Sequence, residues 1–209
     1  MLFKMIKLVK ILIPLAILVI LIGGGLYYQD QASLASIPDP RNVPEGWQVY
    51  KDKRGEYSVA YPEGFFVATS GSERSPTGWV KFSDRKDIMV QIQEKEKDII
   101  VSDMILRIGV VKNEKNLSLQ EWLKDVGLTA QNFGFGVTFQ DVDVSETSGV
   151  RMISRSGSWV AVWISKGNKI FHIKQNIIED TNRGFNPTDE DIKEYLGIFD
   201  QFLESFTLK

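Results

Sequence analysis

His172 is the only histidine in the 209-residue chain, and there is no cysteine. Without a thiol there is no Cys nucleophile, thiolate metal site, disulfide or N-terminal lipid-modified cysteine. A Ser-His-Asp arrangement would need an activated serine and a carboxylate beside His172, and the sequence has no Gly-x-Ser-x-Gly elbow. One histidine also falls short of an ordinary zinc ligand set. His172 alternates with Phe171 and Ile173, so it should point away from their face, as a sheet-face residue rather than a base.

The acidic residues offer two weaker patterns. Asp180-Thr-Asn182-Arg-Gly184 looks like the start of a calcium loop, but its glycine comes one place early and the twelfth position is Asp191, not Glu. A turn into the last helix is the better reading. Asp141 and Asp143 share a strand face and are expected to be solvated. Gly134-Phe-Gly136 lacks the Lys-Ser or Lys-Thr of a phosphate loop and reads as a turn. The sequence therefore nominates no catalytic residue, no cofactor ligand and no metal ligand.

Two tryptophans are the candidates for binding. Trp159 and Trp163 share one strand face with Ala161, while Val160, Val162 and Ile164 share the other. Both faces are apolar, which describes a central strand covered on both sides. In the other reading one of the two rings is exposed and anchors a protein partner, a role in which Trp is enriched. Lys and Arg number 25 against 27 Asp and Glu, and the densest charged run, Glu94-Lys-Glu-Lys-Asp98, alternates in sign. No basic stripe is visible, so no nucleic-acid partner is expected.

The elements that must position these residues begin with an apolar segment. Ile11 to Tyr28 carries no charge, Lys4, Lys7 and Lys10 precede it, and Asp30 is the first charge after it. A spanning helix needs ~20 mostly apolar residues and leaves positive charge in the cytoplasm. Residues 1–28 are thus expected to be a cytoplasmic tail and transmembrane anchor, with residues 8–28 in the membrane and the rest of the chain outside. A cleaved signal peptide, cut near Gly23-Gly24-Gly25 or Ser33-Leu34-Ala35, competes with that reading and exports the domain equally. Residues 29–46, with Pro38, Pro40 and Pro44, read as a Pro-rich linker.

Residues 47–209 have the size of one domain. Period-2 alternation predicts strands at Trp47–Tyr50, Tyr57–Tyr61, Phe65–Ala68, Trp79–Phe82, Ile88–Gln93, Leu106–Val110, Val150–Arg155, Trp159–Ile164 and beyond Gly167-Asn168, whose two residues mark a hairpin. Gly71 to Gly78 reads as a turn, and a ribbon should fold back around residues 94–100. Val137 and Phe139 are out of phase with Val142 and Val144, which predicts a bulge near Gln140 or Asp141. Ser118-Leu-Gln-Glu121 is a capping box for a short helix ending at Gly127. Thr188 should cap a last helix whose stripe of Ile192, Tyr195, Leu196, Phe199, Phe202, Leu203 and Phe206 lies across the sheet. The fold class is α+β: an antiparallel sheet of six to eight strands with helices on its faces.

Three stretches of this pattern resemble the PsbP-like family. Gly55-Glu-Tyr-Ser-Val-Ala-Tyr-Pro-Glu-Gly-Phe65 is similar to its opening strand and Tyr-Pro stop, Trp163 to Phe171 to its late hairpin, and Phe199 to Phe206 to its closing helix. The resemblance implies an α/β/α sandwich and a non-catalytic binding or assembly role, and it carries over no site residue. The expected function is a membrane-anchored, extracytoplasmic interaction module for another envelope or membrane protein. The alternatives are a carboxylate- or divalent-ion-dependent hydrolase and a small-ligand carrier using the space under the last helix.

Overall fold

The computed structural model describes residues 37–54, 56–70, 79–83, 104–177 and 188–209. These residues form ten strands, three α-helices and a 3-10 turn at Gly134–Gly136. The strands are β1 (Trp47–Lys51), β2 (Tyr57–Pro62), β3 (Phe66–Ser70), β4 (Trp79–Ser83), β5 (Met104–Lys112), β6 (Val137–Val144), β7 (Thr147–Ser154), β8 (Trp159–Lys166), β9 (Lys169–Ile177) and β10 (Thr207–Leu208). The helices are α1 (Leu119–Asp125), α2 (Ala130–Phe133) and α3 (Asp189–Ser205). A seven-stranded sheet runs β3-β4-β5-β9-β8-β7-β6, and a three-stranded sheet runs β1-β2-β10. All the recorded pairings are antiparallel. The chain is α+β, as expected, but the small second sheet was not anticipated.

One face of the large sheet packs against α3 and the small sheet. Thr188 starts α3 with a reciprocal cap: its Oγ1 accepts the Asp191 N–H (3.2 Å), and the Asp191 carboxylate accepts from the Thr188 N–H (2.8 Å). Phe199, Phe202 and Phe206 are fully buried. Tyr57 of β2 stacks on Phe206 at 5.3 Å between ring centroids, and Phe82 of β4 meets Phe202 edge-on at 5.4 Å. Ser205 ties the helix end to the small sheet, its Oγ accepting from the Ala60 N–H (2.9 Å) and donating to the Phe202 carbonyl (2.8 Å). These rings fill the space under α3 that a small-ligand carrier would need.

Among the described residues, helices cover the opposite face at one end only, while Ala68, Ser83 and Ile105 beyond them on that face are buried as well. Ser118 and Glu121 form the expected capping box, and α1 sets Leu123 against Met152, Ala161, Trp163 and Ile170. This partial cover corrects the bulge expected in β6. Its register with β7 runs unbroken from Val137↔Ser154 to Val144↔Thr147. Val137 and Phe139 join the cluster under α1 and α2, whereas Val142 and Val144 face the α3 side. The buried face changes along the strand, so the hydrophobic phase changes with no extra residue.

The expected linker also needs correction from Ile37 onward. Ile37 and Pro40 are buried, Ser58 donates to the Pro38 carbonyl (2.6 Å) and the Arg41 N–H donates to Thr207 (3.3 Å). Residues 37–46 therefore belong to the domain surface rather than to a spacer. Among the described residues no helix is long and apolar enough to cross a membrane. The segment at 8–28, the turn at 71–78, the strand expected at 88–93, the ribbon around 94–100 and the Asp180–Gly184 motif lie outside the described residues.

Two strand glycines should respond oppositely to alanine. A Cβ on Gly149 would lie 2.7 Å from the Trp163 carbonyl oxygen and 2.9 Å from Ile164, whereas one on Gly109 meets nothing closer than 3.9 Å. Gly149→Ala should cost about 1–3 kcal/mol in urea unfolding, while Gly109→Ala should be neutral or stabilising, since glycine is a weak strand former. Equal effects at the two positions would contradict the strand pairing.

Candidate functional site

The half of the sheet face not covered by α1 and α2 carries two adjacent cross-strand rows. Antiparallel register places Ala68, Lys81, Arg107, Lys174 and Ala161 side by side across β3, β4, β5, β9 and β8. Ser70, Trp79, Gly109, His172 and Trp163 make the next row on the same face. Residues opposite each other on neighbouring strands have Cβ atoms ~5 Å apart. Three cations therefore stand consecutively, with a glycine between Trp79 and His172 in the row beside them.

The cations are supported by aromatic rings. Lys81 Nζ lies 3.5 Å and Arg107 Cζ 3.7 Å from the Trp79 ring centroid, and Lys174 Nζ lies 5.4 Å from that of Trp159. None of the three forms a salt bridge among the described residues. Burial, and after it the charge of Arg107, pushes Lys81 down to about 8 and lowers Lys174 as well. Arg107 is itself lowered by burial, and its Nε is buried with no hydrogen-bond partner.

His172 stacks on Trp163, centroids 4.5 Å apart and planes within 9°. Burial first, then the charges of Arg107 and Lys174, pushes its imidazole down to about 4, so it is neutral at pH 7. Its Nε2 is buried and unpartnered. A neutral imidazole, a guanidinium with a free donor and two ammonium groups form a recognition surface for anions.

A cleft of about 390 Å³ between α3 and the β6–β7 turn shows the contrasting case. Its Arg41 pairs with Glu146 (2.6 Å) and its Arg151 with Asp200 (2.7 Å). Charge there is matched within the fold, whereas no described carboxylate pairs with the cationic row.

The structure separates the two tryptophans named from sequence. Trp163 is 6% exposed and lies flat beneath His172, which removes it as an exposed anchor. Trp159 is half-buried between Phe133 and Lys174. Asp143 accepts from Ser148 Oγ (3.1 Å), and no group of three or more potential metal-ligating side chains occurs among the described residues. Gly134–Gly136 is a 3-10 turn.

Sequence reasoning missed Lys81, Trp79, Arg107, Gly109 and Lys174. One neighbouring pair was legible: a two-residue turn at Gly167-Asn168 sets Lys166 opposite Lys169, which places Trp163 opposite His172.

The histidine gives a direct check. The unfolded chain binds a proton on His172 near pH 6.5, the folded chain only near 4, so stability that is complete above pH 6.5 drains away as pH falls towards 4. The single imidazole NMR signal should titrate near pH 4, and His172→Gln should shrink the loss of urea stability between pH 7 and 4.5. A midpoint near 6.5 would show that the ring is solvated and refute this electrostatic reading.

No family model and no curated protein matches the chain. Among solved structures it is similar to cyanobacterial PsbP from Synechocystis, at 13% identity and a TM-score of 0.48, over 79% of this chain and 94% of that one. A Bacteroides thetaiotaomicron protein matches at 9% identity and 0.41, over 78% and 49%. The Saccharomyces cerevisiae Ran-binding protein Mog1p matches at 12% and 0.43, over 78% and 95%. The first is a member of the family whose fold the sequence resembles; at these identities and scores the likeness says nothing of function.

Proposed function

We propose that the protein is a non-catalytic interaction module, held outside the cytoplasm by a membrane anchor at residues 8–28, that binds another envelope or membrane protein. The single observation that carries the binding role is the row Lys81–Arg107–Lys174, placed side by side with no salt bridge to any of the described carboxylates. Folding three like charges together is unfavourable in isolation and becomes favourable against a complementary surface. Trp159 and Trp79 flank the row and supply the aromatic area that interface hot spots use. The anchor, the α/β/α arrangement around the sheet and the compartment follow from the apolar segment, the lysines before it and the sequence resemblance.

Tether length supports a protein rather than a lipid surface as the occupant. Ile37 and Pro38 lie beside the small sheet, and the eight residues 29–36 cannot span more than ~29 Å even when fully extended. A domain of about 165 residues has a radius of gyration of ~15 Å, hence a diameter near 40 Å. The cationic row lies on the face opposite the small sheet. Laying that face on the bilayer would require a longer tether.

Photo-crosslinking in intact membranes is the test. A benzoylphenylalanine in place of Lys81 should give one defined membrane-protein adduct, and one in place of exposed Val49 on the small sheet should not. Identical adducts from both positions, or none from position 81, would count against this surface. A reporter fused after Lys209 should be active outside the cytoplasm, and activity only in the cytosol would remove the topology.

A further inference from the structure

The cationic row is a general attractor, whereas the row beside it has a shape. Gly109 is flanked across the strands by Trp79 and His172, which stand ~10 Å apart at the backbone because each strand spacing is ~4.8 Å. Glycine leaves that interval without a side chain. The nearest atoms to a Cβ built there are Trp79 Cβ at 3.9 Å and the His172 carbonyl oxygen at 4.0 Å. Gly109 has no positive φ that would demand glycine, and a β-branched residue would serve the strand better. Backbone conformation and crowding therefore give no reason for glycine at this position.

The surroundings of the gap are polar in a specific way. Arg107, two residues along β5 on the same face, holds a buried Nε without a partner, and His172 presents a buried, unpartnered Nε2. Lys81 and Lys174 stand on either side of Arg107. The Trp79 ring fixes the guanidinium by stacking, which leaves a planar fork oriented for a planar acceptor.

Resting on the reading of this face as a docking surface, we propose that the gap over Gly109 seats a carboxylate side chain from an acidic segment of the partner protein. Arg107 is its ligand, and Lys81 and Lys174 hold neighbouring acids of that segment. Trp79 and His172 wall the gap, and Trp163 supports His172 from below.

The test uses the full-length chain in detergent micelles, with hexaglutamate as probe and hexaglutamine as control. Binding is followed by tryptophan fluorescence and by the single imidazole NMR signal. Hexaglutamate should bind and move the His172 signal, and hexaglutamine should do neither. Arg107→Lys should weaken binding about tenfold by removing the bidentate fork. Gly109→Val should abolish the His172 shift while urea unfolding shows the fold retained.

Wild-type binding by Gly109→Val would overturn the seat. Stronger binding of inorganic phosphate, or of vesicles containing phosphatidylserine, than of hexaglutamate would overturn the choice of a carboxylate. If Gly109→Val leaves peptide binding intact while crosslinking from position 81 still captures its protein, the seat falls and the docking surface stands. If that crosslink is also absent, both fall.

Discussion

Burial of one sheet face beneath Phe199, Phe202 and Phe206 determines what the other face can present. Strand side chains alternate with a strict period of two. Because Leu106, Ile108 and Val110 must meet α3 and the small sheet, Arg107 and Gly109 must point the other way. Val80 and Phe82 impose the same choice on Trp79 and Lys81, as do Phe171 and Ile173 on His172 and Lys174. A one-residue slip in any of these strands would bury a cation and expose apolar core residues, among them Phe82 of β4 or Phe171 of β9. Each buried Phe is worth ~3–5 kcal/mol against truncation, so the core enforces the cationic row even though the row opposes folding.

The size of that opposition explains why the row is best read as a binding surface. Two cations ~4 Å apart repel by about 4 kcal/mol near a protein surface and by about 1 kcal/mol in bulk water. A cation–π contact returns ~0.5–1 kcal/mol at such a site. Trp79 and Trp159 therefore offset part of the repulsion and leave a residue that an external anion can remove. The α3 cleft shows the same chain neutralising Arg41 and Arg151 with carboxylates at 2.6 and 2.7 Å. Local conflict that the rest of the fold avoids tends to mark functional positions.

The uneven cover of this face follows from the same alternation. At the β6–β8 end, Val137, Phe139, Met152, Ala161 and Trp163 make it apolar, and α1 and α2 close over it with Leu123 and Phe133. Towards β4 this face carries Lys81, Arg107 and Lys174 beside buried Ala68, Ser83 and Ile105, and among the described residues no helix closes over it. Strand β6 records the boundary within eight residues: its first half serves this face and its second half serves the α3 face. An edge strand can do so without a bulge because it needs a partner layer only where a helix reaches it.

Much of the fold was legible because its signals are local. The Tyr57–Tyr61 alternation, the Gly167-Asn168 turn, the Ser118 capping box and the α3 stripe each lie within a few residues. The site was not legible because its members are far apart in sequence: Lys81, Arg107 and Lys174 become neighbours only through β4–β5 and β5–β9 pairing. Alternation tells which face each occupies but not which residue stands beside which, since that depends on non-local register. For the same reason the sequence shows no basic run at these positions: the charges are single lysines and an arginine dispersed over three strands. Of the two readings of β8, the covered central strand describes Trp163: its position opposite His172 in a two-residue hairpin makes the two rings share a face, and stacking them buries the tryptophan.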